Sequence, residues 1–389
     1  MKKICVITTT RADYGYFKPL LKHIESNPKL RLQIIATGTH LEKKYGYTLD
    51  EILNDGYNPD ACVSIICDDT KSGIIDTMSN ATKKVGEALE KLLPDMVVLL
   101  GDRYETFSIA SACVILGIPI AHISGGDVTY GAYDDMFRHC ITKMSYLHFT
   151  SCEAYRQRVI QLGENPDRVF SVGSLSIENI LNTELLSKEE IGKHLEFSLD
   201  NTLLATFHPI TMESASQKIQ FDEILSAIEE QTRYKVIFTK PNADTNREEL
   251  SSLLEYFAKK YPEKIKVVDS LGVLKYLSTM KYCSGVIGNS SSGIFEAPSF
   301  KKGTINIGNR QKGRICAESV INCNAKKDEI LKSFDILASE DFQKKLLTVK
   351  NPYEGKNTAK IICEKIEETV SQNLDTKLFF DLKLDYNKF

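Results

Sequence analysis

The stretch MVVLLGDRYETFSIASACVILGIPIAHISGGD, residues 96–127, holds one complete repeating unit of the chain. Met96 to Leu100 are apolar without alternation, the pattern of a strand covered on both faces. Phe107, Ala110 and Val114 follow at helical spacing and are expected to form one core-facing stripe. A second apolar run, Ile118 to Ile123, resumes the strand pattern. The connection between the runs is too long for a hairpin and suits a helical crossover, so the two strands are expected to lie parallel. Just past each strand the composition changes, to Gly101, Asp102, Arg103, Tyr104 and Glu105 after the first, and to Ser124, Gly125, Gly126 and Asp127 after the second. In an open parallel sheet, those strand ends are where ligands bind.

The same unit recurs in both directions. Further strands are expected at Ile4 to Thr8, Leu32 to Ala36, Cys62 to Ile66 and Leu147 to Thr150. Phe17, Leu20, Leu21 and Ile24 mark the core face of the first helix. A second series begins with Leu203 to Phe207 and continues with Lys235 to Phe238, Ile265 to Val268, Gly285 to Ile287 and Thr304 to Ile307. Strands alternating with helices in two series predict an α/β chain of two Rossmann-like domains with parallel sheets. SVGSLSIENI and the polar run NTELLSKEE, near 170–200, separate the series. The expected domains are therefore residues 1–180 and 181–355. Residues 356–389 form a C-terminal helix and tail that pack back on the first domain. Ile361, Ile362 and Ile366 share one face of that helix.

Bulk properties agree with this division. A chain of 389 residues exceeds the roughly 250–300 at which a single core stops growing. Lys+Arg 49 against Asp+Glu 52 leave a net charge of -3 with no basic stripe, which argues against a nucleic-acid partner. The run after MKKICVITTT is interrupted by Arg11 and Asp13, too soon for a signal segment or a membrane span, so a cytoplasmic protein with no membrane partner is expected. None of the ten cysteines forms a CxxC pair, and they are expected to be buried reduced thiols. No metal site is read from these spacings.

Two groups of residues carry candidate chemistry. In the second series Gly288, Asn289, Ser290, Ser291, Ser292 and Gly293 follow a strand and precede the helix-like stretch IFEAPSF. Free N–H groups and hydroxyls at a helix start suit a diphosphate, although Ser and Asn also serve as plain caps. INIGNRQKGR delivers Arg310, Lys312 and Arg314 to the same sheet edge; Arg310 could pair bidentately with a diphosphate, and the other two could be a solvated face. His208 ends a strand before Pro209, either addressing a leaving group or capping the strand. After the first strand, TTTRADYG lacks a dinucleotide fingerprint; there Arg11 could reach a phosphate and Asp13 could cap the helix.

The first series supplies carboxylates. Asp102, Glu105, Asp127, Asp134 and Asp135 all fall at strand ends or helix starts, with His122, Arg138 and His139 among them. Where two carboxyl groups converge, one is held neutral and the other ionised, the arrangement that acid/base work at a sugar carbon needs. Against this, Asp102 or one of Asp134 and Asp135 could merely cap a helix, Glu105 could serve the helix dipole, and the histidines could be satisfied core residues.

Taken together TRADYG, ATGTHL, GDRYE, HISGGD, the YDD, RH and ITKMS run, RVIQLGE, FHP, NADT, GNSSSG with Glu296 and INIGNRQKGR resemble the hydrolysing UDP-N-acetylglucosamine 2-epimerases of bacterial sialic-acid synthesis. The resemblance implies two domains of the GT-B type with the active site between them. It also implies a homodimer, a nucleotide-sugar substrate and no redox cofactor. The implied enzyme is a hydrolase of a glycosidic C–O bond. It expels UDP by elimination across C1 and C2, then hydrates the 2-acetamidoglucal to N-acetylmannosamine. On this pattern Asp102, Asp127, Asp134 and His208 are the catalytic candidates. Arg11, Ser290, Ser291, Ser292, Gly293, Glu296 and Arg310 hold the nucleotide, while Asp13, His40, Ser124 and Arg138 meet the substrate. The sequence departs from the pattern at Ser124, where many relatives carry Glu or His, and at Asp127, where Glu is usual. A small residue at 124 also fits a 2-epimerase of a nucleotide-linked 2,4-diacetamido sugar on the legionaminic-acid route. A GT-B glycosyltransferase or a sugar-nucleotide sensor would share the nucleotide grip without needing the carboxylates.

Overall fold

The protein is described here by a computed structural model covering residues 1–130, 133–208, 214–240, 247–269 and 271–382. The chain divides into two compact units, Met1–Asn179 with Tyr353–Phe389, and Ile180–Pro352.

The first unit holds a parallel sheet of β1 (Lys2–Thr8), β2 (Leu30–Thr37), β3 (Ala61–Val63), β4 (Met96–Leu100), β5 (Ile120–Ile123), β6 (Leu147–Thr150) and β7 (Val169–Ser171), in the order β3-β2-β1-β4-β5-β6-β7. Alternate side chains go to opposite faces. Ile4, Val6, Met96, Val98, Ala121, Ile123 and Phe149 meet Phe17, Leu20, Leu21 and Ile24 of the Arg11–Ser26 helix. Cys5, Ile7, Val97, Leu99 and Ile120 meet Val85, Leu89, Ile109 and Cys113 on the other. Coverage on both faces is why these strands read as unbroken apolar runs. The Thr358–Val370 helix adds Ile362, Ile366 and Val370 to the first of these cores. Each such fully buried aliphatic side chain contributes about 1.5–3 kcal/mol.

The second unit repeats the plan with β8 (Thr202–Thr206), β9 (Lys235–Thr239), β10 (Ile265–Val268), β11 (Gly285–Gly288), β12 (Gly303–Ile307) and β13 (Val320–Cys323), again parallel, in the order β10-β9-β8-β11-β12-β13. Leu203, Ala205, Val236, Phe238, Ile287 and Ile305 pack on Phe221, Ile224, Ile228, Phe334 and Leu337. Leu204, Ile237 and Val286 face Ile191, Leu195 and Met280. In both sheets the strand order reverses beside the first strand, between β1 and β4 and between β8 and β11, which opens a crevice at the carboxyl ends of those strands.

The differences from the sequence reading are local. β7 and β13, unexpected, are short edge strands, VFS and VINC, with too few residues to show a period. The polar run near the join contains a helix, Lys188–Leu195, started by a capping box: the Ser187 hydroxyl accepts from the Glu190 backbone while the Glu190 carboxylate accepts from the Ser187 N–H. The cysteines are all free, but only Cys5, Cys113, Cys152, Cys283 and Cys363 are buried; Cys62, Cys67, Cys140 and Cys316 are exposed. No described helix is long and apolar enough to cross a membrane.

Candidate functional site

At the switch of the first sheet, the chain leaves β1 through Thr9 and Thr10. Thr10 is the N-cap of the Arg11–Ser26 helix, its hydroxyl accepting from the Asp13 N–H at 3.2 Å. Asp13 is thus the third residue of the helix rather than its cap. Its carboxylate reaches back to accept from the Thr9 hydroxyl at 2.6 Å and the Thr9 N–H at 3.4 Å. Burial pushes the Asp13 carboxyl upward, against the Thr9 hydrogen bonds and the positive charge of Arg103. Arg103 itself, the half-exposed residue before the Tyr104–Ile115 helix, is held charged by a two-point pair with the buried Glu105, at 2.7 and 3.1 Å, which outweighs its partial desolvation.

Arg11 lies outside this group, 70% exposed and paired with Glu51 at 2.8 Å. His40 also stands apart. It is fully buried, with Nε2 on the Thr8 hydroxyl at 2.9 Å and Nδ1 on the Thr48 hydroxyl at 2.8 Å. Burial lowers its pKa to about 4, so the ring is neutral and both nitrogens are taken by protein.

The Tyr133–Met144 helix brings the central group together. Arg138, on its inner face, donates from Nη2 to Asp102 and, at 3.3 Å, to the Thr129 hydroxyl, while its Nη1 lies 3.5 Å from Asp127. Burial alone would weaken the charge on Arg138; the carboxylates of Asp102 and Asp127 more than restore it. Asp127 also accepts from the Ser151 hydroxyl at 2.9 Å. Asp102 therefore does not cap a helix but completes an ion pair that draws the β4 and β5 loops onto one guanidinium. Asp134 sits in the first turn of the same helix, and its carboxyl is raised by burial and then by the nearby Asp102 carboxylate. Two carboxyl groups in one crevice thus differ in setting, one clamped by Arg138 and one biased toward the protonated form. Asp135 instead accepts from the Thr129 N–H at 2.6 Å.

Ser124, just after β5, adopts φ 66, a left-handed conformation that a side chain normally avoids, and its N–H donates to the Phe149 carbonyl at 2.8 Å. His122 is a core residue. Its ring lies between the Gly101 carbonyl at 2.8 Å and the Thr142 hydroxyl at 3.2 Å, and burial lowers its pKa to about 3.

In the second unit the switch is organised by Asn289, which is fully buried. Its side-chain amide clasps the backbone of His208, accepting from the His208 N–H at 2.7 Å and donating to the His208 carbonyl at 2.8 Å. Its own carbonyl accepts from Arg310 Nη1 at 3.1 Å and Gln311 Nε2 at 2.8 Å. Gly288 enters this turn at φ 134, where a Cβ would sit 2.0 Å from the Thr206 carbonyl oxygen. The Ser290 hydroxyl accepts from the Ser292 N–H at 3.3 Å, and the Ser292 hydroxyl donates to Glu296. Burial raises the Glu296 carboxyl, the Ser292 bond opposing it. Gly293 lies against Thr304, so the turn packs directly on β12.

The helix expected after the serines is a single turn, Ser292–Phe295, followed by a 3-10 turn Ala297–Phe300. Pro298 cannot donate into a continuing helix, and the dipole available to an anion is correspondingly small. Donors here come from the turn and from Arg310. Arg314 is drawn aside, donating to Gln311 at 2.7 Å and lying over Phe295, whereas Lys312 is exposed. Pro209 and the NADT motif at 242–245 fall outside the described residues.

Asn289 was read from sequence only as part of the Gly288–Gly293 turn, not as the side chain that clasps His208, and Gln311, Thr129 and Ser151 were not singled out. Asn and Gln in a turn carry no spacing that marks them; only their burial reveals the hydrogen bonds they must be making.

The residues match known proteins as follows. A family model described as UDP-N-acetylglucosamine 2-epimerase matches residues 22–367. The chain is 42% identical to a GDP/UDP-N,N'-diacetylbacillosamine 2-epimerase (hydrolyzing) of Campylobacter jejuni, over 88% of this chain and 89% of that protein. It is 40% identical to the polysialic acid biosynthesis protein P7 of Escherichia coli, over 98% of each. Among solved structures, a UDP-GlcNAc 2-epimerase from Neisseria meningitidis bound to UDP-GlcNAc superposes with a TM-score of 0.74. It is 18% identical and covers 95% of this chain and 100% of that one. That likeness extends to the two-sheet, GT-B-like arrangement of parallel α/β domains.

Proposed function

The chain belongs to the UDP-N-acetylglucosamine 2-epimerase family, and on that footing we propose that it is a hydrolysing 2-epimerase, converting UDP-N-acetylglucosamine and water to N-acetylmannosamine and UDP for sialic-acid synthesis. The observation that carries this reading is the Asp102, Asp127, Asp134 and Arg138 group at the first switch. A carboxylate takes the C2 proton while UDP leaves C1, giving the 2-acetamidoglucal. Water then adds its oxygen at C1 as a proton returns to the opposite face of C2. The sequence is redox-neutral, so acid/base groups suffice. Asp134, biased toward its protonated form, is the candidate proton donor, and Asp102, clamped by Arg138, the candidate base. Asp127, one methylene shorter than Glu, takes a supporting place through Arg138 and Ser151. The second unit holds the nucleotide: Ser290, Ser291 and Arg310 suit the diphosphate, Glu296 the ribose hydroxyls, and His208, fixed by Asn289, the leaving group.

A second reading, a hydrolysing 2-epimerase of a nucleotide-linked 2,4-diacetamido sugar, is favoured by the identity to the Campylobacter jejuni enzyme and by the small side chain at Ser124. The two are separated by offering UDP-N-acetylglucosamine and the UDP-linked diacetamido sugar in parallel, with NMR identification of the released sugar and assay of free UDP. Free UDP with N-acetylmannosamine supports the first reading, and turnover of the diacetamido substrate alone supports the second. UDP-N-acetylmannosamine accumulating without free UDP, or turnover only with an added acceptor, sinks both.

The cytoplasm, where nucleotide sugars are made, is the proposed location, and a homodimer the proposed assembly. Apolar side chains exposed on adjacent helices of the first unit, Ile115, Tyr133 and Met136, support a two-fold contact there. Sedimentation as a monomer at micromolar concentration would remove the dimer.

A further inference from the structure

The segment after the last helix, past the residues matched by the family model, is docked on the first unit. The Lys377 ammonium donates to the carbonyls of Lys143 and Ser145, the orphan acceptors at the C-terminal end of the Tyr133–Met144 helix. It also lies 2.8 Å from Glu164, a carboxylate only 3% exposed. Glu164 is shared with Lys143 and His148, each at 2.9 Å. Beside this, the Phe380 ring packs on Val159, Ile160 and Val169 and its N–H donates to the Gly163 carbonyl at 3.0 Å. Phe379 lies across Gly163, where a Cβ would come within 2.3 Å of its ring, and under the Lys143 ammonium.

The helix held in this way carries Asp134 in its first turn and Arg138 in its middle. Near its end Thr142 bonds His122, whose other nitrogen bonds the Gly101 carbonyl, the residue before Asp102. His122 and His148 are paired in register on β5 and β6. One set of contacts thus runs from the tail to the helix end, and from that helix to the loop bearing Asp102.

We infer that residues 376–380 are a strap, with Lys377 and Phe380 as positioning residues that fix the axial setting of the Asp134 and Arg138 helix. The inference rests on the epimerase reading for its catalytic consequence and on the geometry alone for its mechanical one. A cation and an aromatic anchor are both needed, because the cation satisfies the helix carbonyls while the ring supplies the apolar burial that holds the backbone in place.

The test uses the full-length protein as Lys377→Met, Lys377→Arg and Phe380→Ala, with steady-state kinetics, Kd for UDP and amide hydrogen exchange. The expected result for Lys377→Met and Phe380→Ala is a fall in kcat of about tenfold, within the loss that ångström-scale misplacement causes, with KM and the Kd for UDP unchanged. Lys377→Arg restores most of kcat. Exchange rises in residues 133–144 and not in residues 285–307. A loss of thermal stability with kcat and exchange in 133–144 unchanged overturns the strap. If the unaltered protein turns over none of the nucleotide sugars, the epimerase reading fails, and the exchange measurement still decides the strap by the same criterion.

Discussion

The two units share one sheet order around the switch but fill it with opposite chemistry. Beside β1 and β4 the loops carry ionised side chains locked to one another: Asp102 and Asp127 on Arg138, and Glu105 on Arg103. Beside β8 and β11 the organising group is the neutral amide of Asn289, with serine hydroxyls and one arginine around it. The difference teaches that topology provides a place and the loops provide the reaction. Charged groups that must exchange protons need partners that set their protonation, whereas a grip on a diphosphate needs donors already aimed and no titration at all.

The largest effect expected from this contrast is at Asp134. Asp134→Asn keeps the shape and removes the transferable proton, so kcat should fall about 10³-fold, within the usual range for a general acid or base, while UDP affinity stays unchanged. Turnover by the variant near the original rate would break the assignment of proton chemistry to the first unit.

Arg138→Met comes next. It leaves Asp102 and Asp127 facing each other without their shared cation in a site where the arginine is only 8% exposed, so the loss of stability should be about 3 kcal/mol. Thermal unfolding followed by a probe in each unit should show the first unit destabilised and the second unaffected. If the variant is as stable as the parent, Arg138 does not hold the β4 and β5 loops together.

Acid should act on the same unit. His40 and His122 have pKa values lowered by burial to about 4 and about 3, and His139 and His148 are lowered as well; all four lie in the first unit. A histidine kept neutral in the fold contributes its full stability above the unfolded value of about 6.5 and loses it as pH falls toward the folded one. At pH 5 the loss is about 2 kcal/mol for each of His40 and His122. The raised carboxyls of Asp13 and Asp134 work in the opposite sense, adding stability as pH falls, and so offset part of the histidine loss, which is read between pH 6.5 and 5. Limited proteolysis across that window should cut the first unit before the second; simultaneous cleavage would contradict it.

Much of this contrast was legible in the amino-acid sequence, because the strands beside each switch are buried on both faces and cannot be written without a continuous apolar run. The expected bounds Met96–Leu100, Leu147–Thr150 and Ile265–Val268 are the observed ones, and of these Met96–Leu100, beside the first switch, is apolar throughout. The edge strands β7 and β13 were not legible, since VFS and VINC are short, half-exposed and interrupted by polar residues. Asp102 and Asp134 stood out as carboxyl groups at strand and helix ends. That Arg138 would bind Asp102 and Asp127 together, and that His40 would turn both nitrogens inward, depend on contacts distant in sequence. The helix after Ser292 was overestimated because small residues that suit a helix start suit a single turn equally well.

Asn289→Ala tests the other side of the contrast and should have the smallest effect. The substitution removes both hydrogen bonds that hold the His208 backbone and leaves the Asn289 carbonyl, on which Arg310 and Gln311 rest, in place. Two neutral hydrogen bonds contribute about 0.5–1.5 kcal/mol each, and part of that is recovered if water enters, so UDP should bind about tenfold more weakly. At saturating substrate kcat should change little, because Asn289 touches none of the carboxyl groups that move protons. A fall in kcat as deep as that of Asp134→Asn, with UDP affinity intact, would mean that His208 takes part in the chemistry through its position. The two units could then no longer be assigned separately to binding and to proton transfer.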